Sequence, residues 1–231
     1  MPTHSKKWFV LLRKWVLGLV TLIALIGLLH LPFARKWLRQ VGGCPVAPVD
    51  AANYDLARKQ AMQDLRGPLP APTRLAAGFE LDVTTRADVQ AWAKAGAIQC
   101  AEFVDGAMLR CQDLPAQLPV SQDFGSPAGG INEAVFGFDA AGKLVNLTLT
   151  RVGLTGAEAE QALLHWQRVR TQQLGDAPHI AGLATAEYLN AAPFRTCVLQ
   201  NRFSNYFAEA TATHFPGRGM RVQEQYVSGT L

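Results

Sequence analysis

Apolar residues follow three rhythms along this chain, and each rhythm predicts a different element. From Trp15 to Phe33 they continue for nineteen residues without a charge. At about 1.5 Å per helical residue, such a run can cross the ~30 Å hydrocarbon core of a bilayer. It predicts a single transmembrane helix at residues 15–33, bracketed by Trp8, Trp15 and Trp37 as interfacial anchors, with Pro32 confined to the last turn. Ala34 is followed by RKWLR, a poor signal-peptidase site, and Val41-Gly42-Gly43-Cys44 lies too far from the apolar run to resemble a lipoprotein box closely. The helix is therefore expected to remain uncleaved, with residues 1–14 as a basic cytoplasmic stub.

After residue 33 the apolar period shortens to that of helices and strands. Tyr54, Ala57, Ala61 and Leu65 recur at helical spacing behind Asp50, and Gly67-Pro68 ends the stretch. Proline and glycine on both sides make residues 34–77 a semi-rigid stalk carrying one short helix. From Gly78 onward the pattern is that of a folded domain, residues 78–231. Phe79-Glu80-Leu81 reads as a short strand. Thr85 and Asp88 have the spacing of a helix start, with Val89, Trp92 and Ala93 on one face and Gly96 as the stop. The segments AIQCAEFV and AMLRCQ flank Asp105-Gly106, a dipeptide suited to a two-residue type I′ hairpin turn because both positions need positive φ.

Residues 113–132 hold three prolines, three glycines and no period, which predicts a long loop, either unstructured or a binding loop. A second hairpin follows, EAVFGFD and KLVNLTLTR around Ala140-Ala141-Gly142. Thr155 to Glu158 is a capping box, opening a helix striped by Ala159, Ala162, Leu163, Trp166 and Val169 that ends near Gly175. A short helix around Ala184 to Leu189 leads to three strands, FRTCVLQNRF, NYFAEATATHF and GMRVQEQYV. The fold class is α+β, with helices packed on antiparallel sheet. Its order, helix and strands twice over, suggests two similar units at about 78–151 and 152–231.

Four basic residues before the apolar run and three after it give only a weak bias in orientation, so cysteine placement decides the two sides of the membrane. The first 39 residues carry seven Lys and Arg and no acid, whereas residues 40–231 carry 15 basic and 18 acidic side chains, a net −3. The overall excess of +4 thus belongs to the anchor, and nothing beyond it reads as a nucleic-acid surface. Arg outnumbers Lys twelve to three after the anchor, a coding bias of GC-rich bacteria. All four cysteines, Cys44, Cys100, Cys111 and Cys197, follow the apolar run, which points to disulfides in an oxidising compartment. The C-terminal domain is accordingly expected in the periplasm, tethered to the inner membrane by a single pass. A two-residue loop at Asp105-Gly106 sets Cys100 opposite Cys111, predicting a bond between them, and Cys44 with Cys197 follows by exclusion.

Candidate chemistry is sparse. His165, His179 and His214 have no metal-ligand spacing, and there is no nucleophile elbow, His-Glu-x-x-His, Cys-x-x-Cys or phosphate loop. Glu209 and Glu224 lie on neighbouring predicted strands, but such acids are most often solvated, and Gly217-Arg218-Gly219 is a turn signal. Trp92, Trp166, Phe136 and Tyr206 fall on apolar faces and read as core. No catalytic residue, cofactor or metal is predicted.

The Thr-x-x-acid helix, the disulfide hairpin and the strand FGFDAAGKLV resemble the SmpA/OmlA type of outer-membrane-assembly lipoprotein module, over Gly78 to Arg151 and more weakly Leu154 to Val227. The tandem arrangement resembles β-lactamase inhibitory protein, which repeats a comparable unit. These resemblances imply a protein-binding module without catalysis, and they transfer no functional position. The expected function is a scaffold or interaction module for another envelope protein, with Phe124, Tyr206 and Tyr226 as the candidate partner surface. The alternative is a domain that binds or hydrolyses a small envelope substrate. A reporter fused after Leu231 tests the topology: a periplasm-dependent reporter should be active, and activity from a cytoplasmic reporter alone contradicts the orientation and the disulfides together.

Overall fold

The computed structural model describes residues 51–114, 130–176 and 178–229. The apolar run at 15–33, Cys44 and Phe124 lie outside the described residues; among those described, no helix is long and apolar enough to cross a membrane. Val49–Leu231 form one compact unit.

Its elements are α1 (Ala51–Leu65), β1 (Leu75–Ala76), β2 (Phe79–Glu80), α2 (Arg86–Ala95), β3 (Cys100–Phe103), β4 (Met108–Leu114), β5 (Ile131–Phe138), β6 (Leu144–Leu154), α3 (Gly156–Leu174), β7 (His179–Ala181), α4 (Ala186–Asn190), β8 (Thr196–Arg202), β9 (Tyr206–Phe215) and β10 (Gly219–Ser228). The class is mixed helix and antiparallel sheet, as predicted. β1 and β2 form a small ladder, and the other strands make one eight-stranded sheet in the order β3-β4-β5-β6-β10-β9-β8-β7. Each half of that order is a meander that follows a helix, α2 or α3. The two meanders meet through their last strands, β6 and β10, which pair antiparallel.

Local chemistry explains the helix boundaries. Thr85 and Asp88 form a capping box at α2, and Thr155 and Glu158 form one at α3, each satisfying amide donors that the first turn leaves free. Gly175 ends α3 in the left-handed region at φ 80°, a conformation that costs glycine little. The β3–β4 connection has positive φ at three residues, 56° at Val104, 50° at Asp105 and 79° at Gly106, and its last paired residues are Phe103 and Met108, so the loop has four residues rather than the predicted two while the predicted register is kept. Its register sets Cys100 opposite Cys111, and the two are bonded.

The core lies between one face of the large sheet and the helices. Val89 and Ala93 of α2 and Ala159, Ala162, Leu163 and Trp166 of α3 are buried against it. Phe79, Trp92 and Phe136 meet edge to face or tilted, with centroids 5.2 to 5.7 Å apart.

Three expectations change. The helix foreseen in a stalk is part of the domain: Met62 is 1 % exposed and packs on Phe207 and Val227, while Arg58 and Arg66 donate to the Ser228 and Gly229 carbonyls. The chain then passes over the β8–β9 turn, where the Ser204 amide donates to the Leu69 carbonyl and the Ala71 amide to Asn205 Oδ1. The folded part therefore begins well before Gly78. The loop foreseen at 113–132 is shorter, because Asp113 and Leu114 complete β4 and Ile131 and Asn132 open β5. Cys197, assigned to Cys44 by exclusion, is a free thiol with 0 % exposure; Cys44 lies outside the described residues.

The disulfide spans a sequence separation of only 11. Chain-entropy reasoning then limits the loss in a Cys100→Ser, Cys111→Ser double variant to about 3 kcal/mol. Leu147→Ala, in a fully buried site on β6, should cost about 2–5 kcal/mol. Denaturant titration followed by tryptophan fluorescence checks this order, and a larger loss at the disulfide contradicts it.

Candidate functional site

Side chains alternate across a strand, so the sheet has two faces with different inventories. The helix side takes Leu109, Ala134, Phe136, Leu147, Leu149, Val222, Ala210 and Leu199. The other face is polar. Register aligns Arg110, Val135, Thr148, Gln225, Glu209, Gln200 and His179 in one row across β4 to β7. A second row holds Gln112, Glu133, Thr150, Gln223, Thr211 and Val198. Val135 and Val198 are apolar, and the same register adds Ala101 on β3 and Ala181 on β7 at the ends of the rows.

These side chains hold one another. Arg110 Nε donates to Glu133 Oε2 at 2.6 Å, and Gln200 Nε2 donates to Glu209 Oε2 at 2.6 Å. Thr211 Oγ1 donates to Glu209 Oε1 at 3.0 Å, Arg202 Nη2 to Gln200 Oε1 at 2.7 Å and Arg221 Nη2 to Gln223 Oε1 at 2.7 Å. Orienting the groups before any contact lowers the entropy that binding would otherwise cost. α1 covers one end of this face through Met62 on Phe207 and Val227.

Beneath α3, on the opposite face, lies a buried polar cluster. Arg151 on β6 pairs with Glu224 on β10 at 3.4 Å, both side chains 4 % exposed. Tyr226 donates its hydroxyl to Glu224 Oε2 at 2.7 Å and accepts from Trp166 Nε1 at 3.0 Å. Arg170 of α3 stacks 5.1 Å over the Tyr226 ring and donates to the Leu75 carbonyl at 2.8 Å and to the Tyr206 hydroxyl at 3.3 Å. Burial raises the Glu224 carboxyl, against the opposing pull of Arg151. Burial likewise pushes the Tyr206 phenol up to about 12, and burial with the neighbouring Glu224 charge raises Tyr226 well above the ordinary range. Every one of these groups is sealed from solvent, so the cluster locks α3 to the β6–β10 seam and offers nothing to a substrate.

The proposed partner tyrosines require a correction. Tyr206 and Tyr226 are both 0 % exposed and belong to this cluster, so neither lies on a surface; Phe124 is outside the described residues. Glu209 and Glu224 stand on opposite faces and do not form an acid pair, because Glu209 bonds to Gln200 and Thr211 on the open side. Trp92, Trp166 and Phe136 are in or against the core, as expected. His214 Nδ1 lies 3.2 Å from the Ala192 carbonyl, and His179 sits on the exposed edge strand β7. Among the described residues no group of three or more His, Cys, Asp or Glu could hold a metal ion.

Sequence reasoning missed Arg151 and Arg170. The signals were present: an arginine closing the apolar strand LTLTR, and one four residues after Trp166 on the buried stripe of α3. No family model, curated protein or solved structure matches this chain.

A carboxyl with a raised folded-state value binds its proton more tightly folded than unfolded. The stability it contributes is full below the unfolded value, 4.5, and falls as pH rises through the folded-state value. Wild type should therefore lose stability relative to Glu224→Gln between pH 4 and pH 7. Equal pH slopes in denaturant titrations of the two proteins contradict this.

Proposed function

We propose that this chain is an inner-membrane-anchored periplasmic interaction module, and that the open polar face of its eight-stranded sheet receives another envelope protein. The observation that carries the reading is that face: two rows of side chains, aligned across the strands and bonded to one another. Its size is adequate. The six strands with seven or more residues, at ~4.8 Å between strands and ~3.4 Å per residue, present roughly 600 Å², and the short β3 and β7 bring the face toward the ~800 Å² of one side of a standard interface. β9 and β10 each have ten residues. The anchor at 15–33 and the bonded Cys100 and Cys111 support an extracytoplasmic site, where disulfides persist. Tethering raises the effective concentration of the face for a membrane-bound partner.

A second reading, a site for a small envelope substrate, has one observation in its favour. A depression of about 740 Å³ at the β7–β8 edge is lined by Asp176, His179, Gln200, Asn201 and Arg202. Ala181, Val198 and Phe203 complete its lining, but the aligned rows of the sheet face cover more of the surface, which favours the protein-binding reading.

A photo-crosslinking residue placed at Thr211 or Gln225 in the native host tests the proposal. Each should give the same discrete protein adduct, and Thr148→Arg in the same row should suppress it at least fivefold. Adducts formed from Gln172 on α3 but not from the sheet face would place the interface on the helix side and contradict the reading.

A further inference from the structure

At the turn end of the open face the β6–β10 ladder is interrupted. Leu154 pairs with Met220 and Arg151 with Val222, so Val152 and Gly153 both stand against Arg221. This is a bulge, a feature that bends a strand and redirects its side chains. Gly153 adopts φ 76° and Gly219 φ 77°, and a Cβ on Gly219 would lie 2.8 Å from the Leu154 carbonyl oxygen. Backbone therefore approaches backbone where side chains would otherwise fill the space, leaving a depression of about 470 Å³.

Its lining combines apolar surface with unspent positive charge. Val152, Phe215 and Met220 supply the floor and wall, and Val152 is 51 % exposed. Arg218 and Arg221 flank them. Among the described residues neither guanidinium pairs with a carboxylate: the ion pairs use Arg74, Arg110 and Arg151, and Arg221 donates only to Gln223 and leaves Nε without a partner. Glu209 lies in the adjoining cleft with Arg221, but its two oxygens accept from Gln200 and Thr211.

An independent observation points to the same place. Phe194 is 65 % exposed and holds φ 56°, a left-handed conformation that is costly for a bulky side chain. Its amide donates to the His214 carbonyl at 2.8 Å, and its ring stands edge-on to Phe215 at 6.0 Å. The fold thus bears strain to display an aromatic ring beside the depression. Exposed aromatics and arginines are the residue types that dominate interface energetics.

We propose that this depression is the anchor point of the partner interface, taking an apolar side chain whose neighbour in the partner sequence is a carboxylate. The apolar group enters against Phe215, Met220 and Phe194, and the carboxylate meets Arg218 and Arg221. The proposal rests on the binding reading given above, because Arg221 and Phe215 also line the cleft that leads onto the polar rows. A protein segment is the occupant for that reason: the depression continues the face on which the partner is placed.

The test uses the full chain in lipid nanodiscs with methyl-labelled methionine, reading the Met220 resonance as N-acetyl-aspartyl-phenylalaninamide is added. Met220 lines the depression from the core at 2 % exposure, so its resonance senses occupancy through the packing around it. A saturable shift is expected, at least fivefold weaker with the asparaginyl analogue, and that preference should vanish in Arg218→Ser, Arg221→Ser. Equal response to the two peptides, no response, or tighter binding of dihexanoyl phosphatidylserine overturns the proposal. So does a Met220 shift on Asp123→Asn, Phe124→Ala without added peptide, which would make the chain's own segment the occupant. Phe194→Ala, an exposed substitution, should weaken both the peptide response and the Thr211 adduct. An undiminished adduct in that variant overturns the anchor and leaves the sheet-face reading standing.

Discussion

The seam between β6 and β10 carries a buried ion pair, and most of the architecture is arranged around it. Removing charges from water costs several kcal/mol each, and the cost is offset only when geometry supplies every partner. Here Glu224 receives Arg151 on one oxygen and the Tyr226 hydroxyl on the other. Trp166 and Arg170 bring α3 into the same network. A slip of one residue between β6 and β10 would turn Glu224 to the open face and strand Arg151 under the helix. The register of the whole sheet is thereby tied to the position of one helix. The arrangement serves specificity more than stability, since well-packed apolar side chains could fill the same space.

With the seam fixed, the division of labour between the two faces follows. The helix side absorbs most of the large apolar side chains and the buried cluster, and the middle of the other face is Thr, Gln, Glu and Arg, with Phe207 and Val227 under α1 at one end and Phe215 at the other. The side chains of that face are held in place because they bond across strands. Arg110 is paired with Glu133, and Glu209 and Arg202 are bonded to neutral neighbours, Gln200 and Thr211. Arg218 and Arg221 have no carboxylate partner among the described residues either, and they stand where the bulge and Phe194 depart from regular geometry.

Much of the local structure was legible in the sequence because it is written in short-range chemistry. The capping boxes at Thr85 and Thr155, and the Asp105-Gly106 turn that sets Cys100 against Cys111, need only neighbours to be understood. The strand alternation of β9 and β10 was also visible, but alternation says which residues share a face and not which face is covered. Tyr226 is placed on the wrong side for that reason, and of the two readings of Tyr206, core and partner surface, only the core one holds. The pairing of β6 with β10 joins segments about seventy residues apart and leaves no local signature. Arg170 defied the pattern because a buried arginine on an apolar stripe looks like a helix edge. α1 looked like a spacer because much of its hold on the sheet passes through one side chain, Met62, and backbone carbonyls at Ser228 and Gly229.

The central claim is that the polar sheet face is occupied by a partner in the cell, and solvent accessibility in place measures that most directly. Single cysteines at Thr211, Gln223 and Gln225, in a background with Cys44 replaced by serine, should react quickly with a polar maleimide in the purified chain. In native membranes the same three positions should be protected several-fold, while a cysteine at Gln172 on the outer side of α3 reacts equally in both. Equal labelling of all four positions in membranes and in purified protein would contradict the account.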